Sequence, residues 1–175
     1  MNEKTLLPGN RECSHKFRTM PIKHPHCGLF VTPIKDIICY PLNIKYISQY
    51  IEKFHQYFFN LPPDNDYIKW TVGKAMYMAD GTALKQKQAM DENGFYSDII
   101  SSSAVCTIMC DSIHFDEHER KFTYYGTQLI KRRTRDLKRS MITTGFIENV
   151  PRTENNPHGL MITGWRTIEN KDLDY

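Results

Sequence analysis

Apolar residues recur at spacings of three and four from Ile44 onward and at spacings of two from about residue 104 onward. That change of period splits the second part of the chain into a helical half and a sheet half. Asn43 is a natural N-cap, and Ile44, Ile47, Ile51, Phe54 and Phe58 then form one helical stripe, broadened by Tyr50 and Tyr57. Pro62-Pro63 ends this helix, and Asp64 or Asn65 can cap a second one in which Ile68, Val72, Ala75, Met76 and Ala79 share a face. Asp80-Gly81 reads as the stop of that second helix. Residues 82–93 predict a third, Lys- and Gln-rich helix ended by Asn93-Gly94, and Phe95, Tyr96, Ile99 and Ile100 add one short turn.

After Ser101-Ser102-Ser103 the alternation predicts a strand over 104–115, with Val105, Met109, Ile113 and Phe115 on one face and Cys106, Ile108 and Cys110 on the other. A charged tip leads to a second strand at 121–133, where Phe122, Tyr124 and Ile130 share a face. Strands at 137–150 and 159–169 follow, each after a short polar turn. Strands joined this way pair antiparallel as a meander. The expectation is an α+β domain over 44–175, with three helices packed on one face of a curved four-stranded sheet.

Residues 1–43 differ in kind. Pro8, Pro21, Pro25, Pro33 and Pro41 interrupt them and no period is sustained, so they read as an irregular arm. No window of about 18 apolar residues occurs, and the first twenty residues lack the apolar core of a signal peptide, so the chain as written reads as soluble. With 175 residues, 40% apolar and 25% charged, the composition is that of an ordinary globular protein. A net charge of +3 does not by itself argue for nucleic acid. The five cysteines form no disulfide framework: Cys106 and Cys110, four apart on one strand, would lie roughly 13 Å apart, beyond disulfide reach.

Four constellations carry candidate chemistry. Cys13, His15, His24, His26 and Cys27 are zinc-ligand types, but their spacing matches no zinc-finger pattern, and no cofactor is expected. His114, Asp116 and His118 alternate and would point one way on a continuing strand, a candidate metal or acid–base site, although a charged hairpin tip with solvated polar residues explains them better. Lys131, Arg132, Arg133, Arg135, Lys138 and Arg139 form a candidate basic patch on one hairpin, able to grip phosphates or simply to solvate strand ends. No Gly-rich phosphate loop, Gly-x-Ser-x-Gly elbow or His-Glu-x-x-His stretch is present. Asp111 with Tyr57, Tyr77 or Tyr124 could line a pocket as an acid–base set, though spacing alone does not select them. The chain reads as non-enzymatic.

The most informative stretch is Asn155-Asn156-Pro157-His158-Gly159. Pro157 locks its own φ and restricts Asn156, Asn156 can bond to nearby backbone, and Gly159 can take positive φ. The result is a stiff turn able to present itself to a partner. The segments IEKFHQYFFNLPPDNDYI (51–68), GFYSDIISSS (94–103), YGTQLIKRRT (125–134), SMITTGFI (140–147) and NNPHGLMITGWRTIENKDL (155–173) together resemble the TraK family of conjugative transposons. TraK proteins are in turn similar to the bitopic, periplasm-facing assembly factor of type IV secretion systems, which carries an Asn-Pro-x-Gly motif before its last strand. Asn156, Pro157 and Gly159 match that motif position by position.

The resemblance, covering about 44–173, implies a cystatin-like, nuclear-transport-factor-like fold and a structural role in a conjugative channel. It also implies partner-binding by Asn156, Pro157 and Gly159, contacts with other channel subunits and with copies of itself, and a periplasm-facing domain held at the inner membrane. The short cytoplasmic tail and membrane helix that begin TraK proteins have no counterpart in residues 1–43. The alternative is a pocket-bearing member of the same fold that binds a small apolar molecule or acts on it as an isomerase or dehydratase. Convergent Tyr and Asp side chains would favour that alternative, whereas a filled core with apolar surface on the first helix or near Gly159 would favour the structural role.

Overall fold

The structure, a computed structural model, describes residues 43–173. Its elements are α1 (Ile44–Phe59), α2 (Asn65–Met76), α3 (Gly81–Glu92), α4 (Phe95–Ser101), β1 (Val105–Asp116), β2 (Lys121–Lys131), β3 (Leu137–Asn149) and β4 (Leu160–Asp172). The strands form one antiparallel sheet in the order β1-β2-β3-β4. This is the α+β meander that the periodicity predicts, with three local corrections.

The short turn expected at 95–100 is a fourth helix. Gly94 enters α4 with φ 73°, and Tyr96 and Ile99 bury their side chains against Leu61, Ile68, Val72 and Ile130. Asp80-Gly81 does not stop α2, which ends at Met76. Asp80 instead caps α3, its Oδ1 accepting from the Thr82 amide at 2.9 Å, while its Oδ2 accepts from Gly164 N at 3.0 Å. The same sequence signal marks either end of a helix, and here the tie to β4 decides for the start. The freed segment 77–79 runs beside β4, with Ile162 N donating to Met78 O and Asp80 N to Ile162 O, both at 2.9 Å.

The third correction lies in β1. Cys106, Ile108 and Cys110 face the core, but so do Ile113 and Phe115, while Val105 and Met109 face out. The register slips between Cys110↔Gly126 and Ser112↔Tyr125, so Asp111 is a bulge. One extra residue inverts the parity of everything beyond it, which a strict alternation cannot show.

The core lies between α1 and the sheet. Ile47, Tyr50, Ile51, Phe54 and Phe58 of α1 pack on Phe122 and Tyr124 of β2, Met141 and Ile147 of β3, and Ile162 and Trp165 of β4. Trp165 meets Phe54 at 5.0 Å and Phe58 at 4.8 Å, both edge-on. Gly126 makes room for this packing, since a Cβ there would sit 2.6 Å from Tyr124 Cε1 and 2.8 Å from Met109 O.

Candidate functional site

The turn before β4 is built from inside. Asn156, 5% exposed, points inward and its Nδ2 donates to Leu160 O at 2.6 Å. The Tyr50 hydroxyl from α1 reaches the same carbonyl at 2.5 Å and Met78 O at 3.0 Å. Burial raises the Tyr50 phenol pKa, the Asn156 side chain opposes that rise, and nearby Tyr46 adds to it. The phenol therefore stays protonated as a donor. Thr153 and Asn156 exchange backbone hydrogen bonds at 3.1 Å, and Val150 N donates to Gly159 O at 3.0 Å, closing the loop at its base. Gly159 has φ 67°, and a Cβ there would lie 2.9 Å from Arg152 Cγ and 3.2 Å from Val150 O. Both the conformation and the space call for glycine.

The outer layer of the turn is different. Pro157 and His158 are exposed, and His158 Nδ1 pairs with the Tyr46 hydroxyl at 2.7 Å. The His158 ring also packs against the rings of Tyr46 at 5.7 Å and Tyr50 at 5.3 Å. Ile44 and Tyr46 on the first turn of α1 are exposed as well. The sequence motif thus resolves into an internal brace, Asn156, and an external face made by Pro157, His158 and Tyr46. The part played by Tyr46 and His158 was not legible, because they lie 112 residues apart and only the packing of α1 beside β4 joins them.

A second internal joint lies deeper and was missed by the periodicity. His55 is fully buried on α1. Its Nδ1 lies 2.7 Å from Ile51 O and its Nε2 2.7 Å from Thr143 Oγ1. A carbonyl can only accept, so Nδ1 carries the proton, and Thr143 donates to Nε2. The ring stacks on Tyr124 at 3.7 Å and 5°. Burial holds its pKa down at about 3, against a weaker upward pull from the Ile51 carbonyl, so His55 is neutral. Its place four residues after Ile51, on the apolar stripe, was the available signal.

The basic hairpin is present between β2 and β3 but is not uniform. Lys131, Arg132, Arg133 and Arg135 are exposed, while Lys138 and Arg139 are half-buried and Arg139 pairs with Asp172 at 2.5 Å. Two surface hollows flank it. One of about 310 Å³ is lined by Arg132, Thr134, Arg135, Leu137, Asp172 and Leu173, and one of about 170 Å³ includes Phe95, Ile99, Cys106, Arg132 and Arg139.

The acid–base set is not brought together. Asp111 is an exposed bulge residue accepting from Thr127 at 2.9 Å, Tyr77 is exposed at the end of α2, Tyr57 stands edge-on to Trp70, and Tyr124 is sealed in the core. His114 and Asp116 share the exposed face of β1, but His118 lies in the turn beyond the strand's end, so the three do not line up on one strand. β1 ends at Asp116, whose carboxylate accepts from the backbone of His118 and Glu119 at 2.8 and 3.0 Å, and those two bonds hold its pKa down. Among the described residues no cluster of His, Cys, Asp or Glu could hold a metal. The Cys13, His15, His24, His26 and Cys27 set lies outside the described residues. No helix among them is long and apolar enough to cross a membrane.

No protein-family model matches the chain, and no curated protein matches it. Solved structures do share its fold. The soluble domain of the TrwG type IV secretion machinery from Bartonella grahamii superposes with a TM-score of 0.62 at 16% identity, covering 77% of this chain and 99% of that one. VirB8 of Agrobacterium tumefaciens gives 0.61 at 10% identity, covering 75% and 94%. An IcmL-like type IV secretion system protein of Legionella pneumophila gives 0.58 at 6% identity, covering 76% and 95%. At such identities the likeness establishes a common fold.

Proposed function

We propose that the chain is a non-enzymatic structural component of a type IV secretion channel, an assembly factor of the TraK kind that acts through protein contacts during conjugative DNA transfer. One observation carries the reading: the fold spans essentially the whole of the TrwG soluble domain, matching 99% of it, and the sequence resemblance points to the same machinery. The interior supports it, because the space between α1 and the sheet is filled by aromatic and aliphatic side chains rather than left as a pocket. Apolar surface lies on the first turn of α1 beside the Asn156–Gly159 turn, where Ile44 and Tyr46 are exposed.

In this role the domain faces the periplasm, held at the inner membrane. Its partners are other channel subunits and further copies of itself. The contact surface is the outer face of the turn, Pro157 and His158 with Tyr46, while Asn156 and Gly159 hold that face in shape. Deleting the gene from its host element should abolish DNA transfer between cells, and the wild-type chain supplied in trans should restore it. The variant Pro157→Ala/His158→Ala, altered only at exposed positions, should fold normally and restore transfer roughly tenfold less well, as expected for loss of an interface anchor. A deletion strain that transfers at the parental frequency would overturn the proposal.

A further inference from the structure

α2 is apolar on two sides. Ile68, Val72 and Ala75 face inward and are buried. At the opposite spacing, Tyr67, Trp70, Lys74 and Tyr77 fall at intervals of three, four and three, which puts them on one outward stripe. Tyr67, Trp70 and Tyr77 are exposed, Trp70 at 54%. Tyr57 of α1 joins them, its ring 6.4 Å from that of Trp70, and Lys53 sits 4.8 Å above the Tyr57 ring. Tyr67 lies 5.6 Å from Trp70 on the other side. Thr71 binds the two helices beneath this platform by donating to Tyr57 O at 3.1 Å.

We propose that this face rests on an anionic membrane surface. Three features favour a bilayer over a protein pocket or groove. Every ring is a Tyr or Trp, the side chains that pair an apolar body with a polar tip and concentrate at the lipid headgroup level. Tyr67, Trp70 and Tyr77 stand exposed on the helix pair and line neither of the two hollows beside the basic hairpin. Lys53 and Lys74 have no ion-pair partner among the described residues, and long lysine stems let the charge reach anionic headgroups beside the rings. The acid on this helix, Asp66, lies in its first turn, at the end away from Lys74 and Tyr77. The inference stands apart from the secretion reading, since it rests on α2 and on Lys53 and Tyr57 of α1.

The two tryptophans make the test direct. Trp165 is 3% exposed in the core, so a membrane-induced change in emission reports Trp70. The full chain is titrated with vesicles of phosphatidylcholine containing a third phosphatidylglycerol, followed by sedimentation and tryptophan fluorescence. The expected result is cosedimentation with a blue shift, weakened by high salt and by vesicles of phosphatidylcholine alone. Lys53→Gln and Lys74→Gln should each lower partitioning roughly fivefold, the weight of one lysine near an anionic surface. Trp70→Phe should bind but lose the shift. Arg132→Glu/Arg133→Glu, on the separate basic hairpin, should keep both. An unshifted spectrum on anionic vesicles overturns the proposal. So does binding that survives the α1 and α2 variants but is lost with the hairpin variant, or a Trp70 shift produced by single-stranded oligonucleotide or acidic peptide and not by vesicles.

Discussion

Acid should weaken this domain through His55 before its carboxylates protonate. In the native state the imidazole is buried beneath Phe54, Phe122, Tyr124 and Trp165, with its proton committed to Ile51 O and its other nitrogen occupied by Thr143. Its pKa there is about 3, against 6.5 when exposed. The folded value is depressed, so between those limits the unfolded chain binds a proton that the folded one excludes. Stability is therefore fully present above about pH 6.5 and falls as pH drops toward 3. Each unit in that window costs about 1.4 kcal/mol, and going from pH 7 to 4.5 costs roughly 2–3 kcal/mol. That moves a urea midpoint by ~1–2 M for a domain of this size.

The assay is urea unfolding at pH 7.0, 5.5 and 4.5, above the range where carboxylates dominate. His55→Leu alone would strand the Thr143 hydroxyl, so the informative variant is His55→Leu/Thr143→Val, which removes both polar partners together. It should lose most of the pH slope over this window whatever its stability at pH 7. If it loses as much between pH 7.0 and 4.5 as the wild type does, the assignment of the acid sensitivity to His55 is wrong.

Other outcomes follow from the same geometry. Asn156→Ala removes the brace on Leu160 O and should cost about 1–2 kcal/mol in urea unfolding, much more than Pro157→Ala, whose ring is exposed. Gly159→Ala must hold a left-handed conformation and should cost at least ~1 kcal/mol, with Arg152→Ala relieving the side-chain contact but not the backbone strain. Gly126→Ala drives a methyl into the Tyr124 ring and the Met109 carbonyl and should cost about 1–3 kcal/mol, the larger end if the β1–β2 register slips. Cys106 is buried and its thiol pKa is raised by burial to about 11, against the opposing pull of Arg132 and Arg139. It should resist iodoacetamide at pH 7.5 in the native state and react once unfolded, as read by mass spectrometry.

Much of this was written along the chain. The stripe from Ile44 to Phe58, the Pro62-Pro63 break and the alternation of Phe122, Tyr124 and Ile130 specify α1, its end and the core face of β2, because periods of 3.6 and 2 are local consequences of backbone geometry. The stiffness of the Asn156–Gly159 turn is likewise local, residing in the locked φ of Pro157 and the positive φ of Gly159. The tertiary structure alone decided the rest. The bulge at Asp111 reverses the faces of β1, and only pairing with β2 reveals it. Asp80 caps α3 rather than ending α2 because Gly164, 84 residues away, is there to donate to it. Asn156 turns inward because Leu160 and Tyr50 await it, which leaves Pro157 and His158 as the exposed surface. Propensity and period are properties of neighbouring residues, whereas which polar group is buried, and which partner satisfies it, depends on segments that meet only when the chain folds.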